Sequence, residues 1–136
     1  MTLSKINPTQ TEAWSKLQLH FEKMQQISMK ELFATDTNRA ANFHSQWNDF
    51  LIYYSKNSVD EKTIDLLLNL ANEVHLKEAI ASYFDGDLIN QTENRAVLHT
   101  ALRAKESDVV LVEGINVMPE VYAVKNKIKN FSNEVI

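Results

Sequence analysis

Along most of the chain apolar residues recur every three or four positions, the spacing that places them on one face of an α-helix. Trp14, Leu17, Phe21 and Met24, with Ile27 slightly offset, follow Asn7-Pro8-Thr9 and predict an amphipathic helix over residues 9–27. Such a stripe requires a partner helix. Ser28 and Glu31 have capping-box spacing, so a short second helix should carry Leu32 and Phe33 and stop near Asp36-Thr37-Asn38, before a loop or a single helical turn. Ser58 and Glu61 repeat that spacing ahead of Ile64, Leu67, Leu68, Ala71 and Val74. Leu66 and Leu70 widen this stripe, as in a helix buried on more than one side. Leu76, Ala79, Ile80, Tyr83 and Phe84 give a further helix ending at Asp85-Gly86-Asp87, where Gly86 can take the left-handed cap. The last helix should start around Pro119 and line up Val121, Val124, Ile128, Phe131 and Val135.

Two stretches break the helical period. Leu51, Ile52, Tyr53 and Tyr54 favour β structure, and Asn48-Asp49 separates them from the segment 43–47, which predicts a small hairpin over residues 43–55. Trp47, Leu51 and Tyr54 also fit i, i+4, i+7, so a helix is the competing assignment. A second hairpin would pair the apolar run 109–112 with Val117-Met118 across the turn Glu113-Gly114-Ile115-Asn116. The expected fold is mainly α, bundle-like, with one or two short β-hairpins. At 136 residues one domain is the default.

Residues 90–103 carry the most pointed pattern. On a helical wheel Val97, Leu98, Ala101 and Leu102 share one side, and Arg95, His99 and Arg103 recur at i, i+4, i+8 on the other. Asn90 or Thr92 could accept from a free N–H of the first turn, and Glu93 would sit well on the positive end of the helix dipole. A helix over this stretch is therefore expected. Two guanidiniums around an imidazole could hold an anion or position a base. The plainer reading is favoured, because an amphipathic helix must have a polar face and arginines there usually pair with carboxylates or pack on another part of the protein.

Composition removes several classes of chemistry. With 44% apolar and 24% charged residues the chain is of ordinary globular make-up, and no apolar run reaches the roughly 18 residues of a spanning helix. The Met1-Thr2-Leu3-Ser4-Lys5 start is not a secretory signal, and a net charge of −4 without a basic cluster speaks against nucleic acid. The absence of cysteine excludes disulfides and thiolate chemistry and agrees with a reducing compartment, so a cytoplasmic location is expected. Gly86 and Gly114 are the only glycines, too few for a dinucleotide or phosphate-binding loop. His20, His44, His75 and His99 form no metal-ligand spacing, and His20 reads as a boundary residue beside the first stripe. Glu61 and Asp65 lie one turn apart on the solvated side of their helix, and Lys125, Lys127 and Lys129 scatter over more than one face.

N-x-T-E-x-R-A-V-L-H-T-A-L-R, residues 90–103, closely resembles a stretch near the N-terminus of glucose-6-phosphate isomerases, and three others follow in that family's order. Tyr54-Ser55-Lys56-Asn57 resembles its D-Y-S-K-N, with Tyr53 where an acidic residue is common; Val117-Met118-Pro119-Glu120-Val121 resembles its V-M-P-E-V; Asn7-Pro8-Thr9 with Trp14 resembles its opening helix. Gly114-Ile115-Asn116-Val117 departs from the family's G-K-D-V in a loop. The resemblance implies an N-terminal segment of a much longer α/β isomerase that interconverts glucose 6-phosphate and fructose 6-phosphate through an enediol. It also implies a homodimer, and no metal or organic cofactor. The uncapped end at Val135-Ile136 fits a chain that continues. The family's catalytic motifs lie further on, so no catalytic, cofactor or metal residue is assigned, and the segment alone is expected to be inactive. The alternative is a stand-alone helical module that binds a protein partner.

Overall fold

A computed structural model describes residues 3–136. It is mainly α, with two separate two-stranded antiparallel sheets, and its residues group into two compact units. Among the described residues no helix is long and apolar enough to cross a membrane.

The unit Ile6–Val74 is built on two helices, α1 (Glu12–Met24) and α4 (Glu61–Glu73). The first helix begins later than expected. Residues Pro8–Gln10 form a separate 3-10 turn, because Asn7 caps it by accepting from the Thr9 N–H, and Thr11 is extended and caps α1 by accepting from Trp14. The chain also leaves the helix at Met24 rather than Ile27. α1 and α4 run antiparallel, since the Ala13 N–H at the start of α1 donates to Glu73 Oε1 (3.0 Å) while His20 near its end reaches Asp60 before α4. Ala13, Met24 and Leu66 are buried. Leu67 and Leu68, expected in the main apolar stripe of α4, are exposed, whereas Leu66, expected only to widen that stripe, is the buried residue, because α1 covers the side that carries it.

Between those helices lie α2 (Met29–Thr35), α3 (Arg39–Asn42) and a hairpin of β1 (His44–Trp47) and β2 (Phe50–Tyr53). α2 starts in the expected capping box: the Glu31 N–H donates to Ser28 Oγ, and the Ser28 N–H donates to Glu31 Oε2 at 2.8 Å. The hairpin reading prevails over the helix. Trp47 pairs with Phe50 across Asn48-Asp49, and Asn48 at φ 51° takes the left-handed turn conformation that asparagine tolerates and a helix interior does not. α4 is capped two residues later than expected, by Asp60 and Thr63 instead of Ser58 and Glu61.

In the second unit, α5 (Leu76–Phe84) ends as anticipated, with Gly86 at φ +75°. The hairpin of β3 (Leu111–Val112) and β4 (Ile115–Asn116) turns at Glu113-Gly114, with φ 50° and +81°. This turn is tighter than the four-residue loop expected, and Val117-Met118 do not form the return strand. Instead Asn116 Oδ1 accepts the N–H groups of Val110 and Met118, closing the hairpin and leading into α6 (Met118–Val135) with Pro119 in its first turn.

Candidate functional site

Residues 90–103 do not form the expected α-helix. Asn90 and Arg95 exchange both backbone hydrogen bonds (3.0 and 3.2 Å) around a turn in which Asn94 is left-handed at φ 51°. Asn90 Oδ1 accepts the Glu93 N–H (3.3 Å) and its Nδ2 donates to Glu93 Oε2 (3.0 Å), so the anticipated capping interaction forms but closes a turn. Asparagine offers the backbone this local alternative to a helix, and Asn90 takes it, while Asn94 supplies the left-handed residue that the turn needs. Residues 96–98 follow without regular structure, then a single 3-10 turn, Ala101–Arg103.

That turn is clamped to α6. Ala101 is fully buried, the Tyr122 hydroxyl donates to the Ala104 carbonyl (3.0 Å), and Lys125 Nζ donates to the Leu102 carbonyl (3.3 Å) while lying 4.3 Å over the Tyr122 ring. Lys125 is thus a structural contact, not the purely solvated charge its spacing suggested.

The polar face Arg95/His99/Arg103 consequently does not exist as a helical stripe. Arg95 and His99 both line a cleft of about 540 Å³ whose walls include Leu88, Val97, Leu102 and Val112, whereas Arg103 lies outside it. Arg95 is 69% exposed and its guanidinium pairs with Glu93. The cleft thus offers an apolar floor with an arginine already engaged at its rim, a surface suited to packing more than to acid–base chemistry. Arg95→Ala should change the stability of the chain by no more than about 0.5 kcal/mol in urea unfolding, as for other exposed ion pairs.

A second polar cluster joins α1 to the start of α4. His20 Nε2 lies 2.9 Å from Asp60 Oδ1 and 3.1 Å from Thr63 Oγ1, and the Thr63 hydroxyl and N–H both donate to Asp60 Oδ1 at 2.7 Å. Thr63 is therefore committed to Asp60 and is not poised as a nucleophile, and His20, read as a boundary residue, is a tie between helices. Burial pushes the Asp60 carboxyl up, but the hydrogen bonds from Thr63 and from His20 outweigh it and hold the group below its usual value. A lowered folded pKa means stability that is complete above the unfolded value, about 3.9, and is lost as pH falls through the folded one. Asp60→Ala should cost about 1 kcal/mol of helix-cap stabilisation at neutral pH. Asp60→Asn should flatten the acid limb of the stability profile below about pH 4, measured by urea midpoints across pH.

Sequence reasoning missed one buried charge. Arg39, 2% exposed, donates from Nε to the Ser55 carbonyl (2.8 Å) and from Nη2 to those of Asn57 (2.8 Å) and Val59 (2.7 Å). Its guanidinium carbon sits 4.5 Å from the centre of the Phe43 ring and 5.7 Å from that of Phe33. No motif marked it: Arg39 follows the polar stretch Asp36-Thr37-Asn38 and precedes Ala40-Ala41. Glu61 and Asp65 are exposed on α4, as expected of solvated carboxylates. Among the described residues no group of three or more His, Asp or Glu side chains could together hold a metal ion.

The phosphoglucose isomerase family model matches residues 53–136, which include the Arg39-held loop from Tyr54 onward, the turn at Asn90 and the whole of α6. Over 134 residues the chain is 52% identical to glucose-6-phosphate isomerase of Christiangramia forsetii, an alignment that covers 98% of this chain and 25% of that relative. The chain thus spans about a quarter of the length of the curated relative it matches. Since the family match takes in more than half the chain and contains three of the four stretches whose resemblance was noted on sequence alone, Asn7-Pro8-Thr9 with Trp14 lying before it, the chain belongs to the phosphoglucose isomerase family.

Proposed function

We propose that this chain is the N-terminal part of a glucose-6-phosphate isomerase, whose complete form interconverts glucose 6-phosphate and fructose 6-phosphate in glycolysis and gluconeogenesis. The observation that carries the reading is the 52% identity along almost the entire chain to a protein of that activity. In this reading the complete enzyme is a cytoplasmic homodimer that moves a proton between C1 and C2 of the sugar phosphate without a metal or organic cofactor. The present residues supply scaffold: the cleft beside Arg95 and His99 has a packing role, and the groups that bind phosphate and move the proton belong to the rest of the polypeptide.

The test couples fructose 6-phosphate conversion to NADP reduction by glucose-6-phosphate dehydrogenase. The full-length polypeptide should turn over, and the 136-residue chain, purified free of host isomerase, should stay at background. An inactive full-length protein, or turnover by the chain alone, overturns the proposal.

A further inference from the structure

We infer that the apolar stripe of α6 running from Val124 to Val135 is a packing face for the rest of the same polypeptide. The inference rests on the proposed function for one thing only, that further polypeptide exists. α6 is anchored near its start, by buried Met118, by Tyr122 on the Ala104 carbonyl and by Lys125 on the Leu102 carbonyl. Further along, Val124, Ile128, Phe131 and Val135 are 52, 60, 66 and 69% exposed, a value that rises toward the end of the helix.

These four residues are spaced four, three and four apart, so they form a narrow seam of the kind into which one neighbouring helix or sheet seats its side chains. Asn126, Lys127, Lys129, Asn130 and Asn133 keep the remainder of the surface polar. An 18-residue helix is about 27 Å long, and in proteins most helical stability comes from packing of the apolar face.

Two considerations choose the occupant. The seam exposes roughly 450 Å² of surface, well short of the ~800 Å² each partner contributes to a stable dimer, so a second copy could not be held by it alone. A segment of the same polypeptide loses no translational freedom on docking and needs no such area. The relative, moreover, has three quarters of its length outside the matched region, enough chain to provide that segment.

Hydrogen exchange over residues 124–135 distinguishes the occupants. In the full-length polypeptide exchange should be slower by on the order of tenfold or more than in the 136-residue chain. The double substitution Ile128→Asp with Phe131→Asp should abolish that protection, and Ile128→Leu with Phe131→Leu should keep it. If the Asp variant of the full-length protein does not fold, the two unsubstituted proteins decide the matter alone. Equally fast exchange in both overturns the inference. So does a dimeric mass for the chain by light scattering that becomes monomeric in the Asp variant, since the occupant would then be a second copy. Turnover of fructose 6-phosphate by the full-length protein tests the functional reading separately, and protection of α6 does not depend on it.

Discussion

Arg39→Ala should destabilise the chain by about 3–5 kcal/mol, read as a shift in the urea midpoint followed by far-ultraviolet circular dichroism. Three carbonyls, those of Ser55, Asn57 and Val59, share this one guanidinium, and no carboxylate takes part. Truncation removes three charge-assisted hydrogen bonds and the packing against Phe43, and it leaves the Ser55 carbonyl in a buried position without a donor. Against the roughly 5–15 kcal/mol by which a domain is stable, such a loss is large. Arg39→Lys should lose less, about 1–3 kcal/mol, because an ammonium keeps the charge but cannot span all three carbonyls with a planar fork. A loss under about 1 kcal/mol for Arg39→Ala would mean that water replaces the guanidinium in the loop.

Gly86→Ala should cost about 3 kcal/mol, from two sources that a companion substitution separates. Gly86 has φ +75°, a conformation costing an alanine roughly 1–2 kcal/mol. A Cβ there would also stand 2.3 Å from the Leu111 carbonyl oxygen, a backbone atom that can retreat only if β3 shifts, adding about 1–3 kcal/mol of overpacking. Gly114 has the same kind of conformation, φ +81°, but open space around it, so Gly114→Ala should show the conformational cost alone. Thermal or urea unfolding of the two variants side by side measures the difference. Equal losses would show that the approach of β3 to Gly86 is readily relaxed.

Elements whose defining interactions are local were readable from residue order. The Ser28–Glu31 box, the glycine after Phe84 and the asparagine turn between Trp47 and Phe50 each involve residues at most four apart, and all three stand where spacing placed them.

The tertiary structure was required where two capping patterns, or a helix and a turn, were both locally plausible and distant partners chose between them. Ser58 and Asp60 both begin a capping pattern; Asp60 prevails because Arg39 holds the carbonyls of Ser55, Asn57 and Val59 in a non-helical path and His20 of α1 reaches Asp60. The stretch 90–103 has a good helical wheel, but its asparagines close a turn and Tyr122 and Lys125 of α6 capture the carbonyls of Ala104 and Leu102. Residue order thus determined the helix-rich class, the family, the start of α2, the end of α5 and the start of α6 to within a residue, because periodicity and caps act within a turn or two of the chain. The buried role of Arg39, the start of α4 and the path of the most family-like stretch were decided by partners 16 to 43 residues away, whose geometry no local pattern encodes.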